Sequence, residues 1–238
     1  MSEQRLILER SKINKLRKFT LKLLAWWDPS SFDYPWRKTS DPYKILISEF
    51  MLRKTTRNQV KRIYEDFFRK YPSIKALHGA DVESIKNTIR SLGMEHFKAV
   101  ALKELAEIVV KEYDKKIPEE RRLLEKLPGV GAYIANAVLC LAYGKNVPLL
   151  DTNTVRVLKR VFSLMSTRKR VRDDPKMWEF VSSLIPKNRA RNFNLAVLDF
   201  AATICLPKKP KCSICPLLAI CDYGPSYLGA CQSHSFSL

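Results

Sequence analysis

The sequence contains little glycine, 7 of 238 residues. An all-β domain needs glycine at many tight turns, so this scarcity argues against an all-β fold and favours helices joined by short loops. No internal repeat of 20–50 residues and no low-complexity stretch is evident, which excludes a repeat array. At this length we expect one large domain or two small ones that share a cleft.

The sequence also lacks any apolar run near the roughly 20 residues that a membrane-spanning helix needs. Its first residues, MSEQRLILERSKINKLRKF, are charged throughout and do not have the form of a signal peptide. We therefore expect an intracellular protein, cytoplasmic or nucleoid-associated, with no membrane partner. A monomer is the expected oligomeric state.

Acidic residues are outnumbered, 24 against 43 Lys and Arg, and the net charge is +19. The basic residues are spread along the whole chain rather than gathered in one tail. Such an excess favours a polyanionic partner, because neutralising phosphates releases counterions. The sequence therefore predicts nucleic-acid binding; a merely basic protein, or one bound to anionic lipid, is the alternative.

Apolar residues at helical spacing predict an all-α fold. Asp41-Pro42 has the form of an N-cap followed by proline at the first helical position. Residues 224–238 are predicted to be a loosely ordered tail. The predicted helices span residues 12–26, 41–53, 56–70, 81–90, 95–113, 118–126, 131–143, 152–164, 174–185 and 189–204.

Four cysteines follow the spacing C-x6-C-x2-C-x5-C: Cys205, Cys212, Cys215 and Cys221. In a reducing compartment such a group predicts a metal centre rather than disulfides. A compact loop of this length can wrap a [4Fe–4S] cluster with four thiolates. A four-cysteine zinc site is the alternative, although zinc sites usually pair their cysteines in two close knuckles.

Lysines accompany the cysteines within the same loop. We expect them to offset the negative charge of a cysteinate-bound cluster and to contact phosphate. They are Lys208, Lys209 and Lys211.

The segment Leu127-Pro128-Gly129-Val130-Gly131 joins two predicted helices. Its glycines allow a tight turn that directs backbone N–H groups at the start of the next helix toward a phosphate oxygen. Gly129, Val130 and Gly131 are therefore candidate DNA-binding residues. A plain connection between helices is the alternative.

Asp151 follows an apolar stretch and directly precedes a predicted helix. Taken alone, it is interpreted most simply as an N-cap. The order of features changes this interpretation, because a glycine hairpin lies before Asp151 and the four cysteines lie after it.

That order resembles the helix-hairpin-helix DNA glycosylase superfamily, which includes endonuclease III and MutY-type enzymes. The similarity extends from about residue 35 to residue 222. The stretches Pro35-Trp36-Arg37, Asp41-Pro42-Tyr43-Lys44-Ile45 and Ser48-Glu49-Phe50-Met51-Leu52 resemble the adenine-glycosylase branch and its mismatch thymine glycosylase relatives, called Mig.

The resemblance implies an all-α fold of two helical modules with a catalytic cleft between them. Double-stranded DNA with a mismatched or damaged base binds there, and the nucleotide is flipped into the cleft. The implied parts are a six-helix barrel module (41–149) with a helix-hairpin-helix at about 120–144, a helical cluster-side module (1–40 and 150–204), the [4Fe–4S] loop (205–221) and a tail (222–238).

The resemblance also implies site residues. Asp151 matches the catalytic aspartate, which stabilises the cationic sugar electrostatically or captures it transiently. Glu49 matches an acidic residue that acts on the leaving base or on water; a solvated surface glutamate is the alternative. Asn153 matches a polar residue that orients the aspartate or a water. Tyr133 stands where bifunctional relatives have a lysine that forms a Schiff base, so a monofunctional enzyme is expected.

Three departures favour the Mig branch: Arg53-Lys54 in place of paired glutamines, Leu92-Gly93-Met94-Glu95-His96 in place of a glycine–tyrosine–tyrosine turn, and an end just past the cysteines. They predict removal of thymine or uracil opposite guanine. We expect Arg53 or Lys54 to fill the hole in the duplex or contact the opposite guanine; an ordinary phosphate contact is the alternative. Arg37 is a further candidate DNA contact.

Other functions remain possible at this stage. An adenine glycosylase, acting opposite 8-oxoguanine or guanine without a C-terminal reader domain, is compatible with Tyr133 and Asn153. A bifunctional lyase is disfavoured by Tyr133. A DNA-binding, redox-sensing iron–sulfur module without turnover would need neither Glu49 nor Asp151.

Overall fold

The computed structural model describes the backbone of residues 3–234 and the side chains of residues 11–229. These residues form α-helices and short 3-10 helices and contain no β-strand, so the predicted all-α fold is confirmed. None of the described helices is both long enough and apolar enough to cross a membrane. The α-helices are α1 (Glu3–Trp26), α2 (Pro42–Met51), α3 (Arg57–Lys70), α4 (Ile74–Gly79), α5 (Val82–Thr88), α6 (Glu95–Glu112), α7 (Arg121–Leu124), α8 (Ala132–Leu141), α9 (Thr152–Phe162), α10 (Pro175–Leu184), α11 (Ala190–Thr203) and α12 (Gly224–His234).

The chain divides into two compact units. The continuous unit, Asp33–Lys145, contains α2 to α8. The discontinuous unit combines residues up to Phe32 with residues from Asn146 onward, and it contains α1 and α9 to α12.

Side-chain caps begin α2 and α3. Asp41 accepts a hydrogen bond from the backbone N–H of Tyr43 at 2.8 Å, and Pro42 occupies the first helical position as predicted. Thr56 and Gln59 form a reciprocal capping box at the start of α3. These local signals explain why the two helix starts are readable from the sequence.

Buried apolar side chains hold the continuous unit together. Helix α2 packs against α8, and α6 packs against α4 and α5. An aromatic cluster lies beside α3, in which the Tyr43 hydroxyl donates a 2.8 Å hydrogen bond to the carbonyl oxygen of Tyr71. The cluster consists of Tyr43, Tyr64, Phe67, Phe68 and Tyr71.

The core of the discontinuous unit joins α1 to helices from the far end of the sequence. Phe19 is fully buried, with its ring centroid 5.1 Å from Phe162 and 6.3 Å from Phe193. The Trp27 indole donates a 2.9 Å hydrogen bond to buried Asp199. These contacts hold the N-terminal helix against helices that lie more than 130 residues later in the sequence.

Two short elements differ from the sequence prediction. Helix α4, Ile74–Gly79, is absent from the prediction; Ser73 caps it, and its buried residues Ile74 and Leu77 are too few to show a periodic pattern. The helix predicted at 118–126 is wrong in extent, because the backbone is still extended at Glu120 and α7 spans only Arg121–Leu124.

The prediction of a loosely ordered tail at 224–238 is wrong for the residues of α12, Gly224–His234. Its start is anchored to the end of α9: the Tyr223 N–H donates to the carbonyl oxygen of Arg160 at 3.0 Å. The Arg160 guanidinium also lies 4.7 Å from the Tyr223 ring centroid. Residues 235–238 lie outside the described residues.

Candidate functional site

The predicted hairpin lies between α7 and α8. Its backbone turns at Gly129, which has a left-handed φ of +76°, and the Val130 N–H donates to the carbonyl oxygen of Leu127 at 3.0 Å. Gly131 caps α8 without a side-chain hydrogen bond. Gly131 therefore offers no side-chain acceptor to the first N–H groups of α8. A helix start can bind an anion when its N-cap side chain does not occupy these donors.

Helix α2 braces this hairpin. Arg53 Nη1 donates a 2.8 Å hydrogen bond to the carbonyl oxygen of Gly129, and the Arg53 guanidinium lies 5.4 Å from the Phe50 ring centroid. A Cβ atom at Gly129 would lie 2.5 Å from Phe50 Cε2 and 2.6 Å from Arg53 Nη1. Close approach and positive φ therefore both require glycine at this position.

The two basic residues after α2 differ in their surroundings. The Arg53 side chain is engaged with the hairpin. Lys54 is exposed, its φ is +53°, and its side chain makes no hydrogen bond or ion pair within the part of the chain that the structure describes. Lys54 is thus the better placed of the pair to contact a partner.

Glu49 and Tyr133 lie on two helices that pack together, α2 and α8. The Glu49 side chain is only 7% exposed, so its interpretation as a solvated surface glutamate is wrong. Tyr133 is half-buried in the first turn of α8. Glu49 is therefore a carboxyl group enclosed by the packed helices of this unit, which is a suitable setting for an acid–base role.

Asp151 is the N-cap of α9, as its position predicts. Its Oδ1 accepts a 2.7 Å hydrogen bond from the Thr154 N–H, and its Oδ2 accepts one of 2.7 Å from Asn153 Nδ2. Asp151 is half-buried, so the carboxylate is held in one orientation by these bonds and remains accessible. The structure thus brings Asp151 and Asn153 together.

Arg156 connects this carboxylate to the cysteine loop. Its Nη1 donates to Asn153 Oδ1 at 2.8 Å, and its Nε donates to the carbonyl oxygen of Cys205 at 2.9 Å. A third bond, of 2.8 Å, runs from Nη2 to the carbonyl oxygen of Ala201. Sequence reasoning missed Arg156, although its place one turn after Asn153 on the same helix is a usable signal.

Asn194 holds the segment that leads into Asp151. Its Nδ2 donates to the carbonyl oxygen of Val147 at 2.8 Å, and its Oδ1 accepts from the Leu149 N–H at 3.0 Å. Only 2% of Asn194 is exposed. Sequence reasoning missed this residue too; the signal was a polar residue on the apolar face of α11.

The four cysteines near the C-terminus line one pocket, together with Arg160, Lys211 and apolar side chains. All four are free thiols. No three Cys, His, Asp or Glu side chains in the described part of the chain are arranged to hold a single metal ion. Thiolates around a cluster bind different irons, so they need not converge on one point.

Polar contacts surround the sulfur atoms. Arg160 Nη1 lies 3.5 Å from Cys205 Sγ, and the Gly224 N–H lies 3.4 Å from Cys221 Sγ. Burial and the neighbouring cysteines raise the pKa of the Cys215 thiol to about 11. A thiol that is hard to ionise in isolation becomes a thiolate when it binds a metal.

The remaining predicted contacts are Arg37, which is half-buried, and three exposed lysines. Arg37 ends a 3-10 helix, and its guanidinium lies 5.3 Å from the Tyr34 ring centroid. The three lysines of the cysteine loop, Lys208, Lys209 and Lys211, are exposed.

Known proteins resemble this chain over most of its length. The profile of the HhH-GPD superfamily base excision DNA repair proteins matches residues 47–181. A thymine/uracil-DNA glycosylase of Pyrobaculum aerophilum is 46% identical over 203 residues, 84% of this chain and 88% of that protein. The solved structure of a thermostable thymine-DNA glycosylase superposes with a TM-score of 0.86 at 38% identity and covers 91% of this chain and 99% of its own. An adenine DNA glycosylase of Mycolicibacterium smegmatis is 35% identical over 200 residues, 83% of this chain and 67% of that protein.

Proposed function

The chain belongs to the HhH-GPD superfamily of base excision DNA repair proteins, and we propose that it removes thymine or uracil mispaired with guanine. The superfamily predicted from the sequence is thereby confirmed. The thymine/uracil and thymine-DNA glycosylases cited above, which exceed the adenine glycosylase in identity, support this substrate class.

The observation that carries the chemistry is the carboxylate of Asp151, held at the start of α9 by Asn153 and the Thr154 N–H. Both hydrogen bonds hold the carboxylate in place at the start of the helix. A fixed negative charge stabilises a sugar that becomes positive as the base departs. The glycosidic C–N bond breaks with its electron pair moving to the base, water then adds to the sugar carbon, and the proton that the water loses restores the neutral base.

Glu49 supplies the second carboxyl group. Glu49 is largely buried, and in the proposed reaction it exchanges a proton with the departing base or with the attacking water. Acid–base work by Glu49 and charge stabilisation by Asp151 are separate tasks, and the two environments differ accordingly.

Tyr133 supports a monofunctional reaction. A phenol cannot form the Schiff base with the sugar that a lysine forms, so the strand should remain intact at the abasic site. The product of the proposed reaction is therefore an abasic duplex with both strands unbroken.

The cysteine pocket supports a [4Fe–4S] cluster bound by Cys205, Cys212, Cys215 and Cys221. The fit rests on four free thiols that line the same pocket. When bound, the cluster supplies iron–thiolate bonds that hold the loop together. Arg160 offsets its negative charge, and the exposed lysines of the loop contact the phosphate backbone.

In the continuous unit, the proposed DNA contacts come from two segments, the hairpin before α8 and the turn after α2. Backbone N–H groups at the start of α8 bind a phosphate oxygen. Arg53 braces the hairpin from within, and Lys54 extends from the turn to the nucleic acid. Lys54, rather than Arg53, is the residue that we assign to the gap in the duplex or the opposite guanine.

The test uses the purified full chain and end-labelled duplexes carrying T, U or A opposite G, and A opposite 8-oxoguanine. Each reaction is divided, and one half is heated in alkali to break abasic sites. Cleavage of the T and U strands only after alkali is the expected result. Cleavage without alkali would contradict the monofunctional assignment, and cleavage confined to the A strands would identify an adenine glycosylase.

A further inference from the structure

A buried lysine lies behind the exposed turn that carries Lys54. Lys98, on α6, is 5% exposed. Its Nζ lies 3.4 Å from the carbonyl oxygen of Met51, 3.4 Å from that of Leu92, and within hydrogen-bond distance of Thr55 Oγ1. Three acceptors match the three protons of an ammonium group.

The two carbonyl groups belong to helix ends. Met51 is the last residue of α2, and Leu92 is the last residue of a 3-10 helix, Arg90–Leu92. The carbonyl ends of helices carry partial negative charge, and a cation beside them is stabilising. Lys98 therefore caps two helix ends from inside the unit.

Side-chain bonds connect the same two segments. Thr55 Oγ1 donates to the carbonyl oxygen of Leu92 at 3.1 Å, and Gln59 Nε2 donates to that of Ser91 at 3.0 Å. The turn after α2 and the turn before α6 are thus joined around the Lys98 ammonium. No acidic side chain supplies any of the hydrogen bonds of Lys98 described above.

The backbone of both turns adopts conformations that most residues avoid. Lys54 and Met94 have φ values of +53°, and Gly93 has a φ of +69°. Residues in the left-handed region persist where surrounding contacts hold them, and such residues concentrate at functional sites. Here Lys98 contacts both turns from inside the unit, beside the Thr55–Leu92 and Gln59–Ser91 hydrogen bonds.

We propose that Lys98 is a positioning residue, which fixes the Lys54 turn in its DNA-binding conformation without touching DNA. The proposal rests on the proposed function, because it assumes that the Lys54 turn contacts the duplex. A turn ordered before binding loses less conformational freedom on binding, so affinity is higher. Removing the ammonium should therefore raise the Kd for DNA even where the protein remains folded.

Lys103 offers a matched control on the same helix. Its Nζ donates to the carbonyl oxygens of His78 and Ala80, at the end of α4, and so it also caps a helix end from within the continuous unit. Lys98→Met and Lys103→Met remove the same chemical group from equivalent tasks. Only the first affects the turn that carries Lys54.

The experiment measures three quantities for the full-length wild type, K98M, K98R and K103M. They are the thermal midpoint, the Kd for a duplex with an abasic-site analogue opposite guanine, and amide hydrogen exchange over residues 52–56. We expect K98M to raise the Kd about tenfold relative to K103M at a comparable thermal midpoint. Exchange over 52–56 should accelerate in K98M alone, and K98R should restore part of both effects.

Equal Kd values and equal exchange in K98M and K103M would overturn the proposal. If K98M does not fold, Thr55→Val removes the hydroxyl partner of the ammonium and keeps the side-chain shape, and it is expected to change the Kd and the exchange in the same direction. A wild type that excises neither T nor U would refute the proposed substrate, while hydrogen exchange would still decide whether Lys98 orders the turn.

Discussion

Arg53 Nη1 lies 2.8 Å from the carbonyl oxygen of Gly129, and this bond joins the turn after α2 to the hairpin before α8. The arginine therefore has a structural task in addition to its charge. Because Arg53 and Phe50 both lie close to the position that a Cβ atom of residue 129 would occupy, the hairpin has little room to change shape there.

Gly129→Ala should destabilise the protein by about 2–4 kcal/mol, because the added methyl group clashes with Phe50 and Arg53 and φ is positive. Urea unfolding measures the change. Gly131→Ala is the matched control: its φ is −101° and nothing lies within 4 Å of the added Cβ, so its stability should change by less than about 1 kcal/mol. Equal losses in both variants would contradict this account of the hairpin.

Asp151→Asn should lower the excision rate by about 100-fold or more and leave the unfolding free energy nearly unchanged. Asparagine still caps a helix, but it lacks the negative charge. Asp174→Asn changes the same side chain at the same position of α10 and should leave excision intact. Single-turnover kinetics on a T·G duplex measures both, and a comparable loss in both variants would mean that capping, not charge, is what matters.

Arg156→Met should lower the unfolding free energy by about 2–4 kcal/mol, because three acceptors lose their donor at once. We also expect less iron per chain in the purified variant, since the Cys205 backbone is no longer held. Arg69→Met, which removes an exposed ion pair with Asp66, should affect neither quantity. Full iron content in Arg156→Met would show that the loop keeps its shape without this residue.

Asn194→Ala should reduce both stability, by about 1–3 kcal/mol, and the excision rate. The buried amide forms hydrogen bonds with the backbone of Val147 and Leu149, in the segment that leads into Asp151. Its loss frees the segment that positions the carboxylate. Asn192→Ala, at an exposed position of the same helix, is the control. If the excision rate of the folded Asn194→Ala protein equals that of the wild type, other contacts position the segment.

Local signals explain what the sequence could predict. Asp41 with Pro42, and Thr56 with Gln59, define helix starts through contacts a few residues apart. The spacing of the cysteines likewise predicts that they lie close together, because all four lie between residues 205 and 221, and they do line one pocket. The identification of Asp151 depended on the order of motifs, since its surroundings alone are those of an ordinary N-cap.

Tertiary contacts explain what the sequence could not predict. Lys98 has the sequence pattern of any helix lysine, and only the fold brings the carbonyl oxygens of Met51 and Leu92 to its ammonium. The start of α12 depends on Arg160, more than sixty residues earlier. Such residues are identifiable only once the packing of distant segments is known.

The order of the two units along the chain has a consequence for protein synthesis. Helix α1 is synthesised about 160 residues before its partner α11, a delay of roughly 8–30 s at about 5–20 residues per second. During that interval Phe19 and Leu23, both fully buried in the finished protein, have no core to enter. The continuous unit is complete well before then. The speed of translation therefore sets how long the nascent chain exposes an aggregation-prone apolar surface.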